Sequence, residues 1–201
     1  VHQKIRRVIC RDGCFHVPRP PENPKPHKNT LRRTVAVCLL ATLGVANHVV
    51  HADELGVVVG SLDGYRSLAV NYQSAPLWQG TLVAHPLDVS LEYSLGMVRA
   101  PAGQSNRDLA QVGITPFARW WFASNTGAEL GVGANVFSGT RLGDKDLSTA
   151  FQFGSSVGLF HRLEGSPWLL GLRLTHYSNA GIKEPNSGQN YLQLRASYVF
   201  P

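Results

Sequence analysis

Apolar and polar residues alternate with a period of two through most of the chain after residue 53. In LDVSLEYSLGM, residues 87–97, the odd positions are all apolar, and the even positions between them are Asp, Ser, Glu, Ser and Gly. Because successive side chains of a strand point to opposite faces, this pattern predicts strands with one apolar and one polar face. No sustained helical periodicity competes with it.

Eight such segments follow one another, separated by turn-forming stretches such as LDG, SAPLWQG, GTRLGDKD and EPNSG, which we interpret as loops. Most segments are long, whereas the strands of soluble sandwiches are nearer about five or six residues. An even number of long, two-faced strands is typical of an outer-membrane barrel. The sequence therefore predicts an all-β fold, an eight-stranded antiparallel transmembrane β-barrel. Its strands are predicted at residues 54–61, 64–73, 86–99, 108–122, 126–138, 148–163, 167–179 and 189–200.

The front of the chain predicts a leader rather than part of the barrel. Basic residues within 28–33 precede the apolar run TVAVCLLATLGVA, and small or aliphatic residues follow it up to Ala52. This order describes a secretory signal peptide, and the run is shorter than the roughly 20 residues of a transmembrane helix. We therefore expect a cleavable signal peptide over residues 28–52 and an upstream extension of unknown role over 1–27. The barrel would occupy 53–201.

The net charge of +6 is confined to that leader. Residues 1–52 contain nine Lys and Arg against two acidic residues, and the remainder contains ten against eleven. A barrel without basic excess argues against nucleic acid as a partner. The cysteines, Cys10, Cys14 and Cys38, also lie in the leader, without His or Cys at zinc-site spacing, so neither metal nor cofactor is expected. A barrel free of cysteine fits export through an oxidising periplasm.

Two polar residues interrupt the apolar face near the end of the seventh segment. Leucine occupies the even positions from 170 to 174, and the next even positions are His176 and Ser178. The same parity places Asn190 on the apolar face of the last segment, which we expect to pair with the seventh. Polar groups facing lipid need partners. This grouping predicts a site on the outer rim, although strand ends outside the hydrocarbon can also carry polar residues. The residues alone leave both interpretations open.

The stretch HYSNAG, followed by PN-x-G and an apolar closing strand, resembles the PagL family of lipid A 3-O-deacylases. The likeness is densest over residues 172–200, and FQFGSSVGLF (151–160) also looks like a strand of that family. The resemblance implies an eight-stranded barrel of the bacterial outer membrane that hydrolyses the ester-linked acyl chain at position 3 of lipid A. It implies lipid A, or lipopolysaccharide, as the substrate, and it leaves a homodimer open.

The same resemblance assigns roles to individual residues. It implies Ser178 as the nucleophile and His176 as its general base, since a serine hydroxyl needs a base to take its proton. It implies the side chain of Asn179 and the backbone N–H of Gly181 as oxyanion donors. The family's third residue is a glutamate, and this chain has Asn190 at the matching position. An asparagine oxygen can still orient the histidine.

Other assignments stay open on the sequence. Glu184 in the last loop is the alternative to Asn190 as the group that orients the histidine. A non-catalytic structural or binding barrel would have no use for the HYSN stretch. A barrel acyltransferase would share that stretch with a hydrolase, and only analysis of the products separates transfer from hydrolysis.

Overall fold

The computed structural model describes residues 53–200. The predicted extension at 1–27, the predicted signal peptide at 28–52 and the three cysteines lie outside the described residues. Among residues 53–200, no helix has the length and apolar character needed to cross a membrane.

The described chain consists of antiparallel strands, and eight long ones close into a barrel. Around the barrel the order is β1, β2, β4, β5, β6, β9, β10 and β11, and β11 pairs again with β1. This closure confirms the predicted fold, and the bounds agree with the predicted strands to within a few residues. The strands are β1 Glu54–Leu62, β2 Tyr65–Gln73, β3 Trp78–Leu82, β4 His85–Arg99, β5 Asp108–Trp120, β6 Thr126–Phe137, β7 Arg141–Leu142, β8 Lys145–Asp146, β9 Phe151–Arg162, β10 Trp168–Ser178 and β11 Gln189–Val199.

The faces of the strands follow the sequence parity. In β4 the even residues from Asp88 to Glu92 are buried, whereas Tyr93, Leu95 and Met97 are 46–66% exposed. In β10 the even leucines, residues 170–174, are 44–47% exposed. Their exposure on an outer wall gives the barrel the apolar surface that a bilayer requires. The predicted orientation of both segments is confirmed.

The lumen contains a neutral network of buried ions. Arg173 contacts Glu92 at 2.9 Å and Glu129 at 2.8 Å. Arg119 and Arg195 contact the two carboxylate oxygens of Glu54 at 2.5 and 2.6 Å. Charges taken out of water are tolerated when each one is paired, so these contacts explain how a charged interior can be closed to solvent. The polar residues of the alternating pattern therefore fill the barrel.

Two stretches predicted as loops contain strands, and the prediction was wrong there. SAPLWQG contributes to β3, which pairs with β4 at the end of the barrel opposite Ser178. GTRLGDKD forms the β7–β8 hairpin. Leu142 of this segment and Leu147, which directly follows the segment, are fully buried in a cluster with Tyr65 and Tyr191. These leucines are buried at the mouth of the barrel. Their burial explains why this largely polar segment is ordered.

Candidate active site

The site lies where β10 ends and β11 begins. His176 and Asn190 are directly opposite each other in the pairing of these strands, and both are exposed on the outer face. The Nδ1 atom of His176 lies 2.7 Å from Oδ1 of Asn190. The contact that parity predicted between these residues is therefore present.

This contact selects one form of the imidazole. An amide oxygen can only accept a hydrogen bond, so Nδ1 of His176 carries the proton that Asn190 Oδ1 accepts. In the neutral ring, Nε2 is then unprotonated and can accept a proton. The pair therefore prepares the histidine to act as a base through Nε2.

Ser178 follows His176 by two positions on the same face of β10. Two steps along a strand separate the Cα atoms by about 6.6 Å. Ser178 is half-buried and opposite Phe153 of β9. Within residues 53–200 its hydroxyl makes no hydrogen bond to a protein group. Hydrogen bonds between a nucleophile and its base often tighten only when substrate binds.

The turn after Ser178 is held by Asn179, whose side chain is fully buried. Its Nδ2 donates to the carbonyl oxygens of Leu147 at 3.1 Å and Lys183 at 2.7 Å. Its Oδ1 accepts from the backbone N–H of Gly181 at 2.9 Å. Both groups that the resemblance implies as oxyanion donors are thus engaged within the turn. Their catalytic role stays a prediction.

Glu184 lies in the same loop, exposed to solvent. No hydrogen bond or ion pair joins its side chain to another group in the described part of the chain. The structure therefore brings Asn190, and not Glu184, to the histidine.

Sequence reasoning missed two residues of this site. Gly188 is buried and has a φ of 51°, and a Cβ placed on it would lie 2.9 Å from Cε1 of His176. Asn186 accepts a hydrogen bond on Oδ1 from the backbone N–H of Asn179 at 3.2 Å. The glycine of the PNSG turn was a signal for a left-handed backbone. Nothing in the sequence showed that the imidazole packs against it.

Below the polar group, the outer face of β10 and β11 is apolar. Leu174 lies opposite Leu192, and Leu172 lies opposite Leu194. These leucines are 46–61% exposed. The site therefore has a hydroxyl, an imidazole and an amide at the upper edge of a surface that suits hydrocarbon chains.

The fold and this group of residues together define a transmembrane β-barrel with a candidate hydrolase site on its outer wall. The family model described as lipid A 3-O-deacylase (PagL) matches residues 65–199, which include every residue of the site. The chain belongs to this family.

Individual relatives agree with the family match. The chain is 38% identical over 140 residues to lipid A deacylase PagL of Bordetella bronchiseptica, covering 69% of this chain and 78% of that protein. A shorter match to lipid A deacylase PagL of Pseudomonas aeruginosa is 42% identical over 60 residues, covering 30% and 34%. A crystal structure of the outer membrane enzyme PagL matches with a TM-score of 0.61 and 22% identity, covering 72% of this chain and 98% of that one. This last likeness shows the fold.

Proposed function

We propose that the protein hydrolyses the ester-linked acyl chain at position 3 of lipid A, with Ser178 as nucleophile and His176 as general base. Membership of the lipid A 3-O-deacylase family supports the reaction. The contact of 2.7 Å between His176 and Asn190 is the observation that best supports the mechanism, since it leaves Nε2 free as a base.

The chemistry needs two half-reactions. In the first, Ser178 Oγ attacks the ester carbonyl while its proton passes to Nε2 of His176, and the tetrahedral intermediate expels the sugar oxygen, which takes that proton. In the second, water attacks the acyl-serine carbonyl as Nε2 takes its proton, and the tetrahedral intermediate releases the fatty acid as Ser178 Oγ leaves and recovers that proton from Nε2. Asn190 accepts the Nδ1–H bond throughout and holds the ring in one orientation.

The oxyanion that forms in both steps requires N–H donors. We propose Asn179 and the backbone N–H of Gly181, as the family resemblance implies. Each would exchange a hydrogen bond within the turn for one to the oxyanion. Asn186 offers a second source, because its Oδ1 faces the backbone of Asn179 and its Nδ2 is not used in any hydrogen bond to the described residues.

The position of the site suits a membrane-embedded substrate. Of the four connections of eight or more residues, three (100–107, 138–150 and 179–188) lie at the same end as the site, and the fourth (74–84, which contains β3) lies at the other end. Longer loops are typical of the extracellular end of outer-membrane barrels. We propose that the site faces the outer leaflet of the bacterial outer membrane, where a lipid A ester reaches it laterally. Export through the signal peptide at 28–52 and a homodimer stay predictions.

The test is the loss of the 3-linked acyl chain, measured by mass spectrometry of lipid A from cells that produce each variant. Ser178→Ala and His176→Ala should each lower the rate by several powers of ten, because base and nucleophile act as a unit. His161→Ala is the matched control, since His161 is also exposed on the outer face and, among residues 53–200, its side chain bonds only Thr126, at 2.8 Å. Near-parental deacylation by Ser178→Ala would refute the assignment. Acyl chains found on another lipid, instead of free fatty acid, would identify a transferase.

A further inference from the structure

The β7–β8 hairpin is bonded to the loop that precedes β11. The backbone N–H of Ser187 donates to the carbonyl oxygen of Asp146 at 3.1 Å, and the hydroxyl of Ser148 donates to the carbonyl oxygen of Pro185. The Asp146 carboxylate is itself held by the backbone N–H of Ser148 and by Arg141, which keep the pKa of Asp146 below its ordinary value. The hairpin and the loop therefore form one hydrogen-bonded unit.

Lys145 of this hairpin contacts Gly188, the residue that lies against the histidine. Its Nζ donates to the carbonyl oxygen of Gly188 at 3.2 Å. The same ammonium lies 4.8 Å from the ring centre of Tyr65, a buried residue at the start of β2. The aromatic face and the carbonyl dipole both attract the cation. Lys145 is thereby fixed between the barrel wall and Gly188.

Gly188, whose carbonyl oxygen Lys145 binds, lies against the side chain of His176. An added Cβ would come within 2.9 Å of Cε1 and 3.6 Å of Nε2, so the backbone of Gly188 lies against the edge of the imidazole that carries the base. On the other side, Nδ1 is tied to Asn190. A shift of the Gly188 peptide would therefore remove one of the two contacts that restrict rotation of the ring about χ2.

We propose that Lys145 is a positioning residue, which holds Gly188 against His176 and so restricts the orientation in which Nε2 can serve Ser178 as a base. This inference rests on the proposed function, because it assigns Lys145 a part in the same reaction. Lys145 does not touch the reacting atoms in this scheme. Its removal should slow the chemical step and leave the affinity for lipid A unchanged.

A role in binding an anionic group of the substrate makes a different prediction. A cation that contacts a substrate phosphate in both ground and transition states would raise KM when removed, with kcat preserved. A cation that only stabilises the hairpin would affect folding and not the reactivity of the folded enzyme. The separate measurement of kcat, KM and folding distinguishes these roles.

The experiment compares Lys145→Met, Lys145→Arg and the matched control Arg141→Met in the full-length protein, folded in detergent micelles. Arg141 belongs to the same hairpin but is exposed, and in the described part of the chain its guanidinium pairs only with Asp146, at 3.3 Å, and not with the loop before β11. Folding is checked by heat-modifiable migration on gels. Initial rates of lipid A deacylation give kcat and KM, and the rate of covalent labelling of Ser178 by a fluorophosphonate reports nucleophile activation without lipid A.

We expect Lys145→Met to lower kcat and the labelling rate by about tenfold, the loss of one charge-assisted hydrogen bond, with KM within about twofold of the parent. Lys145→Arg should recover most of the loss, and Arg141→Met should match the parent. Parental kcat in folded Lys145→Met, or a rise in KM alone, would overturn the proposal. Gly188→Ala provides a second variant if Lys145→Met does not fold, since it should lower kcat and labelling in the same way, and parental values there would also overturn it.

Failure of the proposed function gives a separate result. In that case the parent and Ser178→Ala would show equal deacylation and no labelling difference before Lys145 is considered. A functioning parent with an inactive Ser178→Ala and an unaffected Lys145→Met would reject the positioning role alone.

Discussion

Replacing Asn190 tests the position at which the resemblance to the family implies a glutamate. Asn190→Ala removes the only oxygen bonded to Nδ1 of His176 among the described residues. The imidazole then has two neutral tautomers available and can rotate about χ2. Only the tautomer with an unprotonated Nε2 directed at Ser178 is productive, so the active fraction should fall.

The magnitude follows from the hydrogen bond. A net contribution of about 1.4 kcal/mol, within the range for neutral hydrogen bonds, corresponds to about tenfold in rate. Loss of ring orientation adds to this, but a triad with the wrong tautomer loses about 10⁴-fold, which is an upper limit. We therefore expect Asn190→Ala to lower activity by about tenfold to about a thousandfold.

Acidic replacements of Asn190 should not lower the activity. Asn190→Asp keeps the geometry of the 2.7 Å contact and adds a negative charge that stabilises the imidazolium formed during attack. Asn190→Glu places the carboxylate that the resemblance implies at the same position with one more methylene. Both should preserve or raise kcat.

The assay is the initial rate of fatty acid release from lipid A by each folded variant in micelles. Glu184→Ala is the control, because Glu184 is exposed in the loop and contacts neither His176 nor Ser178. It should deacylate at the parental rate. Parental activity in Asn190→Ala, together with a severe loss in Glu184→Ala, would refute the assignment and move the orienting role to the loop.

Two further predictions concern residues that support the site. Glu129→Ala leaves Arg173 without one of its two carboxylates in the lumen, and it should lower the free energy of unfolding by about 3–5 kcal/mol in urea titrations, whereas Glu164→Ala in an exposed turn should not. Asn179→Ala removes the bonds to Leu147 and Lys183 that hold the turn. It should abolish most deacylation while the folded barrel persists on gels, and retention of activity would exclude Asn179 from both turn and oxyanion roles.

The fold could be predicted from the sequence because each strand of a barrel wall carries its own alternating pattern of apolar and polar residues. Each strand faces lipid on one side and a polar lumen on the other, so alternation within a segment such as 87–97 already determines which side chains point outward. The same parity placed His176 and Asn190 on the outer face, and strand order placed them opposite each other. The pairing of these two strands could be inferred because sequential strands are commonly neighbours in a sheet.

The contacts made by the β7–β8 hairpin could not be predicted in the same way. They join residues far apart in sequence, such as Lys145 and Gly188, and no periodicity relates them. GTRLGDKD contains few apolar residues, and the burial of Leu142 depends on a cavity at the barrel mouth that exists only once the strands have closed. The position of Gly188 against the imidazole could not be predicted either, because no periodicity in the sequence relates the two residues.

The lumen offers the alternative location for a site, and its dimensions exclude the substrate. A cavity of about 30 Å³ lies among Glu92, Arg173 and the polar side chains around them, which is room for about two water molecules. Pockets for small organic ligands are about 300–1,000 Å³. Apolar clusters close the lumen above and below the ion network. This cavity cannot hold an acyl chain, whereas on the outer wall of residues 53–200 exposed leucines lead to Ser178 and the hydrocarbon never has to leave the bilayer. A polar group on a lipid-facing strand would be unfavourable in a barrel without a lipid substrate. In a barrel that acts on a lipid, the same group can serve as the site.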